Sequence, residues 1–224
     1  MKNDIKWFFR RKFTFLRVMN YKRLLCFTRN SYLAQTGWTE SLRRGYPCDA
    51  EGRPLPWMNY SFIAFIKERL QPEMVVLEFG AGYSSLFWAA HVKHVFSVEH
   101  DAFFIELLKD ELPGNVTVYH AAPGSEPPYY AFGEYISTRN GGLKFDIVVI
   151  DGLARVQCAR RAPELLTHRG VIILDDSQRP EYREAHTFLQ RSGFKHLTFE
   201  GLKPADRGVN CTTIFYRDAN CLQI

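Results

Sequence analysis

Five short runs of mostly apolar residues recur between residues 74 and 176. They read MVVLEF (74–79), HVFSVEH (94–100), NVTVYHA (115–121), FDIVVID (145–151) and GVIILDD (170–176). Their length and their content of valine, isoleucine and leucine predict strands buried on both faces of a sheet. Helical patterns separate most of these runs, at 84–92, at 101–112, from 152 to about Thr167 and at 180–193. The alternation predicts an α/β fold with a mostly parallel sheet and helices on both faces.

The chain on either side of this alternating region has different patterns. FKHLTFE (194–200) and CTTIFYR (211–217) are predicted strands, and the linker between them is too short for a crossover helix. We therefore expect an antiparallel pair at one edge of the sheet. Upstream, NYSFIAFIKERL (59–70) has the spacing of an amphipathic helix, whereas the Gly- and Pro-rich residues 36–58 predict an irregular connector. Residues 123–142 predict a long loop, and such loops in α/β domains are often functional lids.

The basic charge of the chain is concentrated in its first 29 residues. This leader (1–29) holds nine basic side chains and Asp4, a net charge of +8, so residues 30–224 carry −3 of the total of +5. The mildly acidic remainder predicts no nucleic-acid groove. The leader also contains several aromatic residues, among them Trp7, Phe8, Phe9, Phe13 and Phe15. Two interpretations stay open: a helix docked on the domain or on a partner, which the aromatic residues favour, or peripheral contact with an anionic membrane.

Length and composition suit one domain with a small N-terminal appendage. We divide the chain into a basic leader and connector at 1–58 and an α/β domain at 59–224. No apolar run approaches the ~18 residues that a membrane-spanning helix needs, and no signal-peptide pattern is visible. The cysteines are odd in number and scattered, which argues against a disulfide framework and against a zinc site. These features predict a cytoplasmic protein.

Acidic residues stand at the carboxyl ends of four of the predicted strands. They are Glu78, Glu99, Asp151, Asp175 and Asp176. A single acid at such a place often caps the next helix, but in an open α/β sheet these strand ends meet at the rim where ligands bind. Carboxylates gathered at one rim repel one another unless a cation is present. The sequence therefore predicts a positively charged ligand, a metal ion, or both.

The first strand runs into a turn that is rich in glycine. Gly80 and Gly82 permit a tight turn and a close approach of backbone to ligand, and Ser84 or Ser85 is able to cap the helix that follows. A dinucleotide would place its pyrophosphate at this helix N-terminus, where the carboxylate of Glu78 would oppose it. An ammonium or a sulfonium would be attracted instead, so the turn favours a cationic ligand.

Glu99 follows the glycines by about 20 residues, where a carboxylate can bind both hydroxyls of a ribose. Its alternative role is a cap for the helix at 101. A nucleoside that carries positive charge near its sugar is S-adenosylmethionine (SAM), which is therefore the predicted cofactor. Two alternatives stay open: an NAD-dependent oxidoreductase on a similar sheet, and a non-catalytic nucleoside-binding module.

In these motifs the sequence resembles the class I SAM-dependent methyltransferases, over roughly residues 55–217. VLEFGAGYSS matches their acidic, Gly-rich first motif, VFSVEHD matches the strand that ends in the ribose acid, and FDIVVIDG and GVIILDDS match the fourth and fifth strands. The resemblance implies a Rossmann-like sheet of seven strands in the order 3-2-1-4-5-7-6, with the last strand antiparallel. The departure is Ser85 at the third glycine position, which the family tolerates.

The resemblance also implies which residues contact the cofactor. Glu78, Gly80 and Gly82 would line its amino-acid part, Glu99 would hold the ribose, and Ala122 would lie near the adenine. The other implied cofactor-binding residues are Ser84, Ser85, His100 and Asp151, with Asn59 and Tyr60 in a segment that closes over the cofactor from the N-terminal side.

Asp151, Asp175 and Asp176 resemble the site of a narrower group, the metal-dependent O-methyltransferases of the caffeoyl-CoA and antibiotic-sugar types. That resemblance implies that the three acids bind Mg²⁺, which would hold the acceptor hydroxyl and lower its pKa. Alternatively, Asp151 contacts the cofactor or the acceptor, and the Asp-Asp pair caps the helix near 179. Asp151 and Asp175 are the expected catalytic residues, with Asp151 the first candidate for general base.

The expected reaction is methylation of a hydroxyl on a small molecule or on a sugar unit of a glycan. Three tyrosines of the 123–142 segment either form the wall of the acceptor site or pack over the sheet edge. They are Tyr129, Tyr130 and Tyr135.

Overall fold

The computed structural model describes residues 30–224, in which one sheet of seven strands is flanked by helices. The leader lies outside the described residues, so its expected contacts stay predictions. The strands are β1 (Val75–Phe79), β2 (His94–Glu99), β3 (Val116–His120), β4 (Phe145–Ile150), β5 (Leu166–Asp175), β6 (Lys195–Leu202) and β7 (Val209–Tyr216). The helices are α1 (Tyr32–Gln35), α2 (Trp38–Arg44), α3 (Tyr60–Lys67), α4 (Tyr83–Ala89), α5 (Ala102–Leu108), α6 (Phe132–Arg139), α7 (Arg155–Leu165) and α8 (Arg183–Arg191).

The strand order is β3-β2-β1-β4-β5-β7-β6, which confirms the order that the resemblance implied. Strands β1 to β5 pair in parallel. Strand β7 is antiparallel to both β5 and β6, so the last two strands form the expected pair at one edge. Because β6 therefore runs in the same direction as β5, the linker that follows β6 lies at the rim where the acidic strand ends meet. This linker begins with Lys203.

The core has two layers, one on each face of the sheet. Successive strand residues alternate between them: Leu77 and Phe79 belong to one cluster of buried apolar side chains and Val76 to the other. The central strands are buried on both faces, which is why their sequences are almost continuously apolar.

The connector predicted to be irregular contains the helix α2. Gly37 and Gly45 flank this helix with φ angles of 90° and 78°. Both glycines are in the left-handed conformation, and Gly45 is the C-cap, so residues that indicated irregular chain in the sequence bound a helix here.

The segment predicted to be a long loop, 123–142, contains α6. The glycine at position 133 lowers the helical propensity of this stretch, but close packing requires it. A Cβ atom on Gly133 would lie 2.4 Å from Leu165 Cδ1 and 3.1 Å from Leu77 Cδ2. The segment is therefore partly helical and packed on the core, since Phe132 and Ile136 are buried.

Two tryptophans attach the N-terminal connector to the linker after β6. Trp57 Nε1 donates a hydrogen bond to the carbonyl of Pro204 at 2.9 Å, and Trp38 Nε1 donates one to the carbonyl of Asp206 at 2.7 Å. These contacts fix the position of the linker that carries Lys203.

Among residues 30–224, every helix is too short or too polar to cross a lipid bilayer.

Candidate active site

The turns that follow β1 and β4 touch at the rim of the sheet. Gly80 has a φ angle of 110°, and its N–H donates to the carbonyl of Val98 on the neighbouring strand at 2.8 Å. A Cβ atom on Gly80 would lie 2.9 Å from the backbone nitrogen of Gly152, too close for any side chain. Gly82 is extended, with nearby atoms no closer than 3.7 Å to an added Cβ. Glycine is thus required at position 80 both by conformation and by space.

Glu78 lies beneath this turn rather than on its surface. The side chain is fully buried and accepts hydrogen bonds from Ser85 Oγ at 2.5 Å, Ser97 Oγ at 3.0 Å and Trp88 Nε1 at 3.1 Å. Burial raises the pKa of Glu78 to about 7, although the surrounding hydroxyl donors oppose the shift. Glu78 therefore does not contact a ligand in the turn directly. It acts on such a ligand through its electrostatic field and by positioning the turn backbone.

The serines after the glycines connect this acid to the helix. The N-cap of α4 is Gly82, and its N–H donates to Ser85 Oγ at 3.3 Å, while Ser85 in turn donates to Glu78. Ser84 is also buried. The expected capping thus comes from Ser85, at the third position of the helix, and the same contact positions the buried carboxylate.

Glu99 sits at the carboxyl end of β2 with one carboxylate oxygen engaged. Its Oε1 accepts hydrogen bonds from the N–H groups of His100 at 2.8 Å and Asp101 at 2.7 Å. No described residue donates to Oε2. The N-cap of α5 is Asp101, whose side chain accepts from Phe103. Glu99 therefore does not cap this helix, and Oε2 is able to accept a hydrogen bond from a ligand hydroxyl.

The neighbours of Glu99 complete the β2 and β3 side of the rim. The His100 ring packs edge-on against Tyr129, with their centroids 6.2 Å apart. Ala122, half-buried, follows Ala121, whose N–H donates to the carbonyl of Glu99 at 2.7 Å. His100 and Ala122 thus lie beside the acid expected to hold the ribose.

Asn59 and Tyr60 have contacts away from the glycine turn. Asn59 is fully buried, caps α3 by accepting from the N–H of Phe62, and donates to Thr212 Oγ1 at 3.0 Å. The Tyr60 ring packs edge-on against Tyr32. Both residues attach α3 to its neighbours, so their expected contact with the cofactor stays a prediction.

The three tyrosines of the 123–142 segment pack against the core. Tyr129 is buried, and its hydroxyl donates to the carbonyl of Val98 at 3.3 Å, under the Gly152 turn. Tyr130 and Tyr135 are partly buried against the same cluster. These contacts favour the packing interpretation over an acceptor wall.

The Asp-Asp pair at the end of β5 binds a cation that the chain itself supplies. Lys203 Nζ lies 2.5 Å from Asp175 Oδ2 and 2.6 Å from Asp176 Oδ1, and the lysine side chain is only 7% exposed. Burial lowers the pKa of Lys203, but Asp175 and Asp151 outweigh burial and raise it overall. Burial raises the pKa of Asp175, against the opposing effect of Lys203. The pair does not cap a helix near 179 but forms an ion pair with Lys203.

Asp151, at the end of β4, is paired with Arg155. The distance from Arg155 Nη2 to Asp151 Oδ1 is 2.9 Å, and the same guanidinium donates to the backbone carbonyls of Asp151 and Asp175. Burial and the negative charge of Asp175 raise the pKa of Asp151 well above its usual range, while Arg155 and Lys203 lower it. The Asp151 side chain is 22% exposed, whereas Asp175 is fully buried. Only Asp151 of these two is accessible to an acceptor.

The acid cluster does not fit the expected Mg²⁺ site. Within residues 30–224, no group of three or more acids, histidines or cysteines is arranged to hold a metal ion. The reason is local: Lys203 Nζ occupies the space between the two carboxylates where an ion would bind. Magnesium also requires near-octahedral oxygen ligands at about 2.0–2.1 Å, and an ammonium in the middle of the pair excludes them.

Sequence reasoning missed the cations of this cluster, of which Lys203 and Arg155 contact Asp175 and Asp151. A signal for Lys203 was present, because a strand that runs parallel to β5 places the start of its following linker at the same rim. Arg155 was signalled only by its position four residues after Asp151, at a helical spacing that brings side chains together.

No protein-family model and no curated protein matches this sequence. Among solved structures, the chain is similar to a precorrin-6y C5,15-methyltransferase from Geobacter metallireducens, with a TM-score of 0.53 and 18% identity over 70% of this chain and 87% of that chain. For a precorrin 8w decarboxylase from Methanobacterium thermoautotrophicum, the TM-score is 0.49 and the sequence identity is 20%, over 76% of this chain and 91% of that chain. For an rRNA methylase from Streptococcus thermophilus, the TM-score is 0.46 and the sequence identity is 12%, over 68% of this chain and 92% of that chain. At these identities the likeness concerns the fold, and the chain has the fold of the class I SAM-dependent methyltransferases.

Proposed function

We propose that this chain is a methyltransferase that uses SAM to methylate a hydroxyl of a small molecule or of a sugar unit of a glycan. The observation that carries the proposal is the arrangement of three adjacent strand ends. A glycine turn follows β1, Glu99 with an uncommitted oxygen ends β2, and a partly exposed carboxylate, Asp151, follows β4. The first two suit a nucleoside, and the third lies where an acceptor would meet it.

The residues of the rim fit SAM. Oε2 of Glu99 is placed to accept from a ribose hydroxyl, since only Oε1 is held by backbone N–H groups. The open space around Gly82 admits the amino-acid part of a ligand beside the turn. When bound, SAM supplies an electrophilic methyl group on a sulfonium. Glu78 would contribute a negative charge beneath it, and the ionised form of Glu78 would be favoured by a cation above.

Asp151 is the proposed general base. The acceptor hydroxyl must lose a proton as it is methylated, and the carboxylate of Asp151 is the accessible acid of the cluster. Arg155 holds this carboxylate in place through Oδ1, which leaves Oδ2 for the acceptor. Asp175 is a positioning residue in this scheme, because it is buried against Lys203 and Thr212.

The proposal contains no step through a metal ion. The Asp-Asp pair is neutralised by Lys203 from within the chain, so the residues expected to bind Mg²⁺ already have a cationic partner. Positioning of the acceptor relative to the methyl group and removal of its proton are the tasks left to the protein, and correct orientation alone contributes several kcal/mol to such a reaction.

The alternative classes make different demands on the glycine turn. A dinucleotide would place a negatively charged phosphate above Glu78, and the ionised carboxylate would repel it. A cationic ligand would be attracted instead. A non-catalytic module would need no accessible base, whereas Asp151 is partly exposed. A cytoplasmic location, absence of nucleic-acid binding and membrane contact through the leader stay predictions, and vesicle co-sedimentation of the full chain would test the last.

The test is release of S-adenosylhomocysteine, the demethylated cofactor, measured over a panel of hydroxylated small molecules and sugars. We expect release that depends on an acceptor, and Asp151→Asn to lower kcat roughly 100-fold or more, with the affinity for SAM preserved. Asp218→Asn is the matched control, because this exposed carboxylate is also paired with a cation, Lys195. Binding of SAM without release for any acceptor would favour the non-catalytic module, and full activity of Asp151→Asn would remove Asp151 as the base.

A further inference from the structure

All four carboxylate oxygens of the Asp-Asp pair at the end of β5 accept from donors of the chain itself. Asp175 accepts from Lys203 through Oδ2 at 2.5 Å and from Thr212 Oγ1 through Oδ1 at 2.6 Å. Asp176 accepts from Lys203 through Oδ1 at 2.6 Å and from Arg179 through Oδ2. Each of the four oxygens has a donor from the chain. A divalent ion that bridges the two acids would have to displace Lys203, whose ammonium contacts both of them.

The charge of the cluster is already balanced. Three carboxylates, on Asp151, Asp175 and Asp176, face three cations of the chain, Lys203, Arg155 and Arg179. With all six side chains ionised, their formal net charge is zero. Adding a divalent ion to the intact cluster would leave an excess of two positive charges in a mostly buried site, which is strongly unfavourable.

The linker that carries Lys203 is held in place by hydrogen bonds, which position its ammonium. Trp57 and Trp38 donate to the carbonyls of Pro204 and Asp206, one and three residues after the lysine. Lys203 Nζ also lies 6.0 Å from the centre of the Trp57 ring. A preorganised cation loses little conformational entropy when it pairs with the carboxylates, so it competes well against an ion that must shed water.

We propose that Lys203 takes the place of a divalent metal ion in this cluster: its ammonium bridges Asp175 and Asp176 as an ion would, it keeps the intact protein from binding a divalent ion there, and loss of its side chain opens the pair to one. Thr212 and Arg179 would still hold one oxygen of each acid, while Asp175 Oδ2 and Asp176 Oδ1 would face the vacated space. Those two oxygens, with water, provide the ligand chemistry that Mg²⁺ and Mn²⁺ accept.

The experiment is calorimetric titration of the full chain with Mn²⁺ alone, which needs neither cofactor nor acceptor. Its outcome is therefore independent of whether the proposed methyl transfer occurs. We expect no saturable binding by the wild type, and one Mn²⁺ per chain for Lys203→Ala, with an affinity roughly tenfold or more above the weakest that the titration can detect. Lys195→Ala is the matched control, because it removes an exposed lysine, at the start of β6, that is also paired with an aspartate, Asp218. This variant should behave as the wild type.

A second substitution locates the ion. Asp176→Asn in the Lys203→Ala background should abolish the gained binding, and asparagine accepts the φ angle of 51° at this position. Stoichiometric Mn²⁺ binding by the wild type that is lost in Asp176→Asn would overturn the proposal. So would a folded Lys203→Ala protein that binds Mn²⁺ no better than the wild type. If circular dichroism shows that Lys203→Ala does not fold, Lys203→Gln replaces it in the same titration. The titration of the wild type by itself tests whether the intact protein excludes a divalent ion.

Discussion

Replacement of Glu78 by glutamine should change how the stability of this protein depends on pH. Glutamine has nearly the same shape, and its carbonyl oxygen can still accept from Trp88 Nε1 or from a serine hydroxyl. It cannot ionise. The carboxyl of Glu78 is fully buried, and burial raises its pKa from 4.5 to about 7. The native state therefore retains a proton on Glu78 over a pH range in which the unfolded state has lost it.

The size of the effect follows from that difference in pKa. The shift is about 2.5 pH units, and each unit corresponds to about 1.4 kcal/mol, so Glu78 contributes roughly 3 kcal/mol to the pH dependence. Because the pKa is raised on folding, this contribution is fully present below the unfolded pKa and is lost as the pH rises through about 7. Relative to Glu78→Gln, the wild type should lose most of that amount between about pH 5 and about pH 8.

Urea denaturation followed by circular dichroism at several pH values measures this difference. The quantity to plot is the free energy of unfolding of the wild type minus that of Glu78→Gln, since contributions from other titrating groups cancel. Glu68→Gln is the control for the chemical change, because the Glu68 side chain is 81% exposed; its difference from the wild type should be flat. A flat difference for Glu78→Gln as well would mean that Glu78 stays ionised in the folded protein, and the account of the buried carboxyl would fail.

Three further substitutions test two residues of the rim and the N-cap of α3. Glu99→Gln should weaken SAM binding by about 1–3 kcal/mol in calorimetry, the cost of hydrogen bonds to a charged group, and an unchanged affinity would mean that Glu99 only holds its own loop. Gly80→Ala should destabilise the fold by about 1–3 kcal/mol in urea, because of its positive φ angle and its contact with the neighbouring turn. Gly114→Ala has open space around its Cβ and should be near neutral; equal effects of the two changes would contradict the close approach of the turns. Asn59→Ala should cost about 1–2 kcal/mol through the lost cap of α3, and a neutral result would show that the buried amide contributes nothing.

The sheet was predictable from the sequence because its strands are buried on both faces. That burial makes runs such as FDIVVID almost continuously apolar, and the alternation with helices then restricts the sheet to few arrangements. Element ends were less accurate. Strand β5 begins at Leu166, not at 170, since Leu166 pairs with Phe145 across a register shift, and α5 ends at Leu108, short of the predicted 112.

The helices α2 and α6 were missed for one physical reason. Glycine lowers helical propensity in any local pattern, whereas Gly45 serves as a C-cap and Gly133 permits close packing of helix on sheet. The role of Gly133 depends on contacts with residues distant in the sequence, and the role of Gly45 depends on where the chain leaves the helix. A local sequence pattern contains neither kind of information.

At the rim, the acids were predictable and their partners were not. Glu78, Glu99 and Asp151 lie at strand ends, as their sequence positions indicate. The requirement for a cation near the Asp-Asp pair was also sound, but a carboxylate cluster does not specify whether the cation comes from solution or from the chain. The pairing with Lys203 joins residues that are 28 and 27 positions apart, and it depends on the direction of β6.

Calorimetric titration of the full chain with SAM, S-adenosylhomocysteine and NADH, in the presence of EDTA, distinguishes a SAM site from a dinucleotide site. We expect micromolar binding of the two adenosyl ligands without any metal, and no binding of NADH. Binding of NADH without binding of either adenosyl ligand would contradict the proposed SAM site.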